Sequence, residues 1–68
     1  MKWTKCDLVE SDPDKLGGKP VVRGTRVAAD TILEDYEQGA GVEEIHENFP
    51  SVPIGTIKRL IEFARAQN

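Results

Sequence analysis

The sequence has little with which to build a covalent or metal-bound framework. Its 68 residues include one cysteine, Cys6, and one histidine, His46. One cysteine excludes an internal disulfide, and the two residues together supply too few soft ligands for a structural zinc site. No apolar run approaches the roughly 18 residues of a membrane span, and the N-terminus lacks a signal-peptide core. We therefore expect a cytoplasmic domain that uses no disulfide, metal or cofactor and has no membrane segment.

Positive charge is also in short supply. Nine Lys and Arg against twelve Asp and Glu give a net charge of -3, with a pI of about 5.0. This balance argues against a general polyanion binder, which would normally be basic, but it leaves room for a local basic face. A chain this short buries only about 60% of its unfolded surface. A partner or a second copy is the expected source of additional stability.

The C-terminal part of the sequence has helical periodicity. Three amphipathic helices are predicted from apolar residues on one face of each: Ala29, Ile32, Leu33 and Tyr36; then Val42, Ile45 and Phe49; then Ile54, Ile57, Leu60, Ile61 and Ala64. Gly39 is expected as a left-handed cap after the first helix. Pro53 suits the first turn of the third helix, which is expected to run to about Ala66.

The N-terminal third has a different pattern. "CDLVES" and "PVVRG" are short and strand-like, and "DPDKLGG" between them is typical of a turn. Pro20 would place the second strand at an edge. We predict one domain over residues 1–68, with an N-terminal arm and irregular β-hairpin over 1–28 and a three-helix bundle over 29–66. The fold class is mainly α.

The break between the last two helices suggests a helix-turn-helix. "VEEIHEN", "FPSV" and "PIGTIKRLIEFARA" would be its two helices and their turn, with the start of the third helix in the DNA major groove. Gly55 would let the backbone approach closely, Thr56 would touch a thymine methyl or a phosphate, Lys58 a phosphate and Arg59 a guanine. The alternative is an ordinary helical hairpin whose cations are merely solvated.

The third helix lacks the expected capping residue. Val52 stands immediately before Pro53, where a Ser or Thr would stabilise the helix start by roughly 0.5–2 kcal/mol. Ser51 is the candidate that would cap the helix instead.

The stretch "GGKPVVRGTRV" raises the question of a phosphate loop. Such a loop needs a glycine five residues before its Gly-Lys pair and Ser or Thr after it, and here Pro13 and Pro20 occupy those places. An anion could bind where "RGTR" meets the first helix, but Asp30 would repel it. A structural role for the glycines at bends is the stronger interpretation.

The central segment of that stretch has two candidate roles. It consists of Arg23, Gly24, Thr25 and Arg26. The two arginines are expected to tie the hairpin to the first helix at Asp30 and Glu34. The alternative is that they face a partner or the DNA backbone.

A catalytic pair is the weaker interpretation of Cys6 and His46. They could form a nucleophile and its base. His46 lies on a short acidic helix, where a solvated or packing role is far commoner. We expect no enzyme activity.

The stretch from Asp12 to Ala64 closely resembles the bacterial family called domain of unknown function 433. The shared pattern is Asp-Pro, Gly-Gly-Lys-Pro, two aliphatics, Arg-Gly-Thr-Arg and an aliphatic leading into a helix, and Trp3 fits a frequent early tryptophan. Ala28 and Ala29 replace a commoner proline-valine step, and Val52 a frequent Ser or Thr. The resemblance implies a homeodomain-like three-helix fold behind a β-hairpin. It also implies a VapB-type antitoxin, often paired with a PIN-like nuclease toxin.

Two functions follow as hypotheses. The first is an antitoxin that binds operator DNA and neutralises a PIN-like toxin. The second is a protein-interaction module without DNA binding, since its acidic side chains would repel DNA and could meet a basic nuclease. These side chains are Glu34, Asp35, Glu37, Glu43, Glu44 and Glu47.

A homodimer is also expected. Phe63 lies roughly 120° from the apolar stripe of the third helix. It is covered either by the N-terminal segment near Trp3 or by another subunit. Because the core of one chain is small, we predict a twofold dimer through Phe63, with the hairpin or the N-terminal arm contributing.

Overall fold

The computed structural model describes residues 3–67. It has the elements β1 (Val9–Ser11), a 3-10 turn (Leu16–Gly18), β2 (Pro20–Val22), α1 (Ala29–Glu37), α2 (Val42–Asn48) and α3 (Ile54–Ala66). This is the predicted mainly α arrangement, three helices preceded by a two-stranded antiparallel hairpin. Within the described range, no helix is long and apolar enough to cross a bilayer.

The hairpin is shorter than its sequence pattern suggested. β1 begins only at Val9, because the N–H of Val9 closes a turn onto the carbonyl of Cys6 at 3.2 Å. Val9 lies opposite Val22, and Ser11 lies opposite Pro20. Pro20, which has no N–H to donate, thus begins a strand of a two-stranded sheet, as predicted.

The core is shared by the three helices, the hairpin and the N-terminal segment. α3 contributes Ile57, Leu60, Ile61 and Ala64, which are all buried, as the apolar stripe predicts. The other elements contribute buried side chains to the same cluster: Trp3, Cys6, Val9, Val22, Ala29, Ile32, Ile45 and Val52. The buried face of α3 packs against α1 and α2, which leaves the opposite face of α3 exposed.

Of the two helix caps predicted from the sequence, one is confirmed and the other is wrong. Gly39 has φ +104° and ends α1, as predicted. The predicted cap by Ser51 is wrong, because no side chain caps α3 and its N-cap position is Pro53. Val52 is fully buried and its N–H donates to the carbonyl of Phe49. This position therefore serves the core, and the neighbouring Ser51 is left exposed.

Candidate nucleic-acid interface and the signature loop

The signature loop, residues 23–26, is a tight turn held by its own side chains. Gly24 has φ +81°, a conformation that costs little only for glycine. The Thr25 hydroxyl donates to the Val22 carbonyl at 2.8 Å and accepts from the Val27 N–H at 3.0 Å. The Val22 N–H also donates to the Val27 carbonyl at 2.8 Å. The glycine and the threonine thus have a structural role in this turn.

Arg23 binds the hairpin rather than α1. Its Nε donates to the Asp7 carbonyl at 2.9 Å, and its Nη2 donates to the Val9 carbonyl at 3.4 Å. Its Nη1 lies 3.9 Å from a carboxylate oxygen of Glu10. Arg23 follows β2 directly, so its side chain reaches across the paired strand β1.

The expected ion pairs with α1 are therefore wrong. Within residues 3–67 neither arginine pairs with Asp30 or Glu34. The Nη1 of Arg26 donates to the Asp14 carbonyl at 3.5 Å, a long bond. Asp30 instead accepts a hydrogen bond from the indole of Trp3.

Glu10 ties the loop to the hairpin from the other side. Its carboxylate accepts the Gly24 N–H at 2.9 Å and pairs with Lys15 Nζ at 3.1 Å. The Gly24 hydrogen bond first, and Lys15 second, hold the pKa of Glu10 below its usual value. No local sequence pattern indicates this contact, which joins residues fourteen positions apart.

The predicted nucleic-acid contacts lie together on the outer face of α3. Gly55, Lys58 and Arg59 are exposed, and Thr56 is half-buried. A side chain at Gly55 would meet nothing within 4 Å, so the surface there is open. Thr56 lines an open cleft that residues 23–25 of the signature loop also line. The start of α3 and the signature loop therefore form one continuous surface.

Opposite charges are concentrated in different parts of the chain. Residues 27–57, which include α1 and α2, contain seven Asp and Glu and no Lys or Arg. The remaining residues contain nine Lys and Arg against five Asp and Glu, a formal charge of +4. In α3 the cations Lys58, Arg59 and Arg65 and the anion Glu62 are all exposed. The small net charge thus conceals an acidic portion and a basic portion.

Phe63 is covered from within the chain. Its ring stacks on Trp3 with centroids 5.8 Å apart and an interplanar angle of 19°. Trp3 is only 4% exposed, and its Nε1 donates to Asp30 at 2.8 Å. Of the two expected covers for Phe63, the N-terminal segment is the one observed. The homodimer remains a prediction.

Cys6 and His46 both take part in packing. Cys6 is buried in the core. The Nδ1 of His46 lies 2.7 Å from the Val52 carbonyl, and because a carbonyl can only accept, this nitrogen carries the proton. The bond joins α2 to the turn before α3. In the part of the chain that the structure describes, no group of three or more His, Cys, Asp and Glu side chains is placed to hold a metal ion.

The three-helix fold with its hairpin and signature loop defines the class to which the chain belongs. The family model described as "Protein of unknown function (DUF433)" matches residues 9–64. Since this match covers most of the chain, the protein belongs to the DUF433 family.

One curated relative is "Uncharacterized protein y4eO" of Sinorhizobium fredii (strain NBRC 101917 / NGR234). It is 40% identical over 60 residues, which are 88% of this chain and 27% of the relative. The chain thus spans about a quarter of that relative's length. No solved structure matches the chain.

Proposed function

We propose that this protein is the antitoxin of a bacterial toxin–antitoxin pair, which binds operator DNA through the outer face of α3 and neutralises a PIN-like nuclease toxin. The observation that carries the proposal is the exposed row at the start of α3, where Lys58 and Arg59 stand beside an open backbone at Gly55. α2, a five-residue connection and α3 follow one another as in a helix-turn-helix. In that motif the start of the second helix reads base edges in the major groove.

The two cations have different roles in this proposal. Arg59 supplies a planar, bidentate donor suited to the O6 and N7 atoms of guanine, a contact worth about 1–3 kcal/mol of discrimination. Lys58 supplies a point charge for a phosphate, which contributes affinity that depends on salt and not on sequence. Both exposed side chains lie on a rigid helix, because the opposite face of α3 is buried.

The test of DNA binding compares two arginines on one helix. Fluorescence anisotropy would measure binding to the DNA upstream of the gene and to a scrambled duplex, at several salt concentrations. Arg59→Ala should lose roughly tenfold or more in preference for the upstream DNA, whereas Arg65→Ala, which removes the same charge from the last turn, should keep that preference. Lys58→Ala should weaken binding to both duplexes and reduce the salt slope by about one.

Wild-type protein without any preference for its upstream DNA at low salt would contradict the DNA part of the proposal. An equal loss of preference in the Arg59 and Arg65 variants would also contradict it, because general charge would then explain the binding.

The acidic helices support the second half of the proposal. The exposed carboxylates of α2 are Glu43, Glu44 and Glu47, and none of them forms an ion pair among the described residues. A basic nuclease surface is the complementary partner for such a face. Co-expression with an adjacent PIN-like reading frame should give a complex that raised salt and a Glu43→Lys, Glu44→Lys, Glu47→Lys variant both weaken.

The alternative function is an acidic protein-interaction module without DNA binding. The same carboxylates favour it, since α2 would lie against the DNA backbone in a helix-turn-helix complex and its charge would oppose binding. The two measurements described above, of DNA preference and of a toxin complex, distinguish these functions. A toxin complex together with no DNA preference favours the module, and DNA preference without a toxin complex favours a DNA-binding protein of another role.

A further inference from the structure

The hairpin has two outer edges, and the chain's own backbone covers the edge of β2. Pro20 has no N–H to offer there, and the Val22 N–H donates to the Val27 carbonyl at 2.8 Å. Val21 also forms a bridge with Ala28. Unpaired backbone groups at a sheet edge can pair with a strand of another chain. The β2 edge is therefore poorly suited to such pairing.

The outer edge of β1 is covered differently, by a side chain. The Leu8 carbonyl accepts the Arg23 N–H at 2.8 Å and so faces β2. By the alternation of antiparallel pairs, the backbone groups of Val9 and Ser11 face away from β2. The Val9 N–H turns back to the Cys6 carbonyl, and the Val9 carbonyl accepts from the Arg23 guanidinium at 3.4 Å. Only Ser11 presents uncovered backbone groups along this strand.

We propose that the side chain of Arg23 keeps β1 of one molecule from pairing with β1 of a second copy. Its guanidinium contacts three oxygens of residues 7–10, at 2.9, 3.4 and 3.9 Å, although 61% of the side chain is exposed. A charged side chain laid over an edge is one of the ways in which proteins prevent edge pairing. The partner is a second β1 because a twofold axis pairs an antiparallel strand with its own copy.

This inference does not depend on the proposed function, and it also explains the presence of the first arginine in the signature loop. Arg26, the second arginine, makes one long hydrogen bond to Asp14 and has no hydrogen bond or ion pair with Val9, Glu10 or Ser11 of β1. The two arginines have equal charge, lie three positions apart and are both exposed. Arg26 is therefore the matched control.

The test is sedimentation velocity over a concentration series. Arg23→Ala should self-associate at a roughly tenfold lower concentration than the wild type, as expected when one net hydrogen bond is gained at the new edge contact. Arg26→Ala should sediment as the wild type does. Association of Arg23→Ala that equals that of the wild type, with native circular dichroism, would overturn the proposal. Equal association of the two alanine variants would do so as well.

A second substitution identifies the surface that pairs. The Ser11 N–H faces outward, so Ser11→Pro removes a donor from the free edge without removing a backbone hydrogen bond between the two strands. Added to Arg23→Ala, it should restore wild-type sedimentation. Ser11→Ala, which loses only the hydroxyl bond to Gly18, should not restore it. Failure of the proline to restore it would overturn the assignment to β1. If Arg23→Ala loses its helical signal, Arg23→Met takes its place, because it keeps the aliphatic part of the side chain and removes the charge and every donor. The same outcomes then support or overturn the proposal.

Discussion

Trp3→Phe should lower the free energy of unfolding by about 2 kcal/mol. The substitution keeps an aromatic ring against Phe63 but removes the indole N–H, which donates to Asp30 at 2.8 Å. A hydrogen bond to a charged group contributes about 1.5–3 kcal/mol, and the lower end applies here because Asp30 is exposed. The smaller ring removes roughly a further 0.5–1 kcal/mol of apolar burial. A chain of this length has a total stability of only about 3–10 kcal/mol.

The assay is urea unfolding followed by far-ultraviolet circular dichroism, because the substitution removes the only tryptophan. Asp30→Ala removes the same hydrogen bond from the other side and should cost about 1–1.5 kcal/mol. The double variant should then show a coupling energy of about 1 kcal/mol between the two positions. Trp3→Ala should cost about 3–5 kcal/mol and leave the chain near its unfolding midpoint.

Two results would refute this account. A free energy of unfolding of Trp3→Phe within a few tenths of a kcal/mol of the wild-type value would mean that the indole contacts contribute nothing. A loss of stability on Trp3→Phe that disappears at protein concentrations where the wild type is monomeric would mean that the aromatic pair is buried between subunits, since only association makes stability depend on concentration.

Three further predictions concern the loop and the dimer. Thr25→Ala should lower the free energy of unfolding by about 1–2 kcal/mol because two hydrogen bonds are lost, whereas Thr25→Ser should retain most of the stability; equal losses would contradict a role for the hydroxyl. The pKa of Glu10 is lowered, chiefly by the Gly24 amide. Its contribution should be complete above the unfolded value of about 4.3 and lost as pH falls through the lower folded value. Glu10→Gln should flatten that acid limb in a series of urea unfolding curves, and an unchanged limb would contradict the assignment. Finally, sedimentation should detect a homodimer that Phe63→Glu dissociates; a wild type that is monomeric at high micromolar concentration would contradict the dimer, and an unfolded variant would place the ring in its own core.

Local patterns predicted most of the helical part of the fold. The apolar residues of α3 recur at helical spacing, and Ile57, Leu60 and Ile61 are buried as that spacing indicates. Gly39 ends α1 in the left-handed region, where a side chain would be strained. These features depend on the chain within one or two turns of each residue, so the sequence contains what is needed to predict them.

Contacts between distant segments were predicted poorly. The charge pattern predicts that Arg23 pairs with Asp30 and Glu34 of the acidic first helix, whereas its partners are backbone carbonyls of Asp7 and Val9, brought close by the strand register. Capping preference marks Val52 as a deficient cap, whereas it is a core residue with no exposed surface. In both cases the deciding interaction is tertiary, and neither charge nor capping preference contains information about it.

The division of roles within the signature loop decides where function can be tested. Gly24 and Thr25 hold the turn, and Arg23 and Glu10 attach it to the hairpin. Substitution of any of these residues should therefore change stability or self-association, whether or not the residue contacts a binding partner. A loss of binding in such a variant would therefore not identify a contact residue. Arg59 differs in this respect, because it is exposed on a helix whose opposite face carries the packing. Binding lost on its replacement, with an unchanged unfolding midpoint, can be attributed to the surface itself.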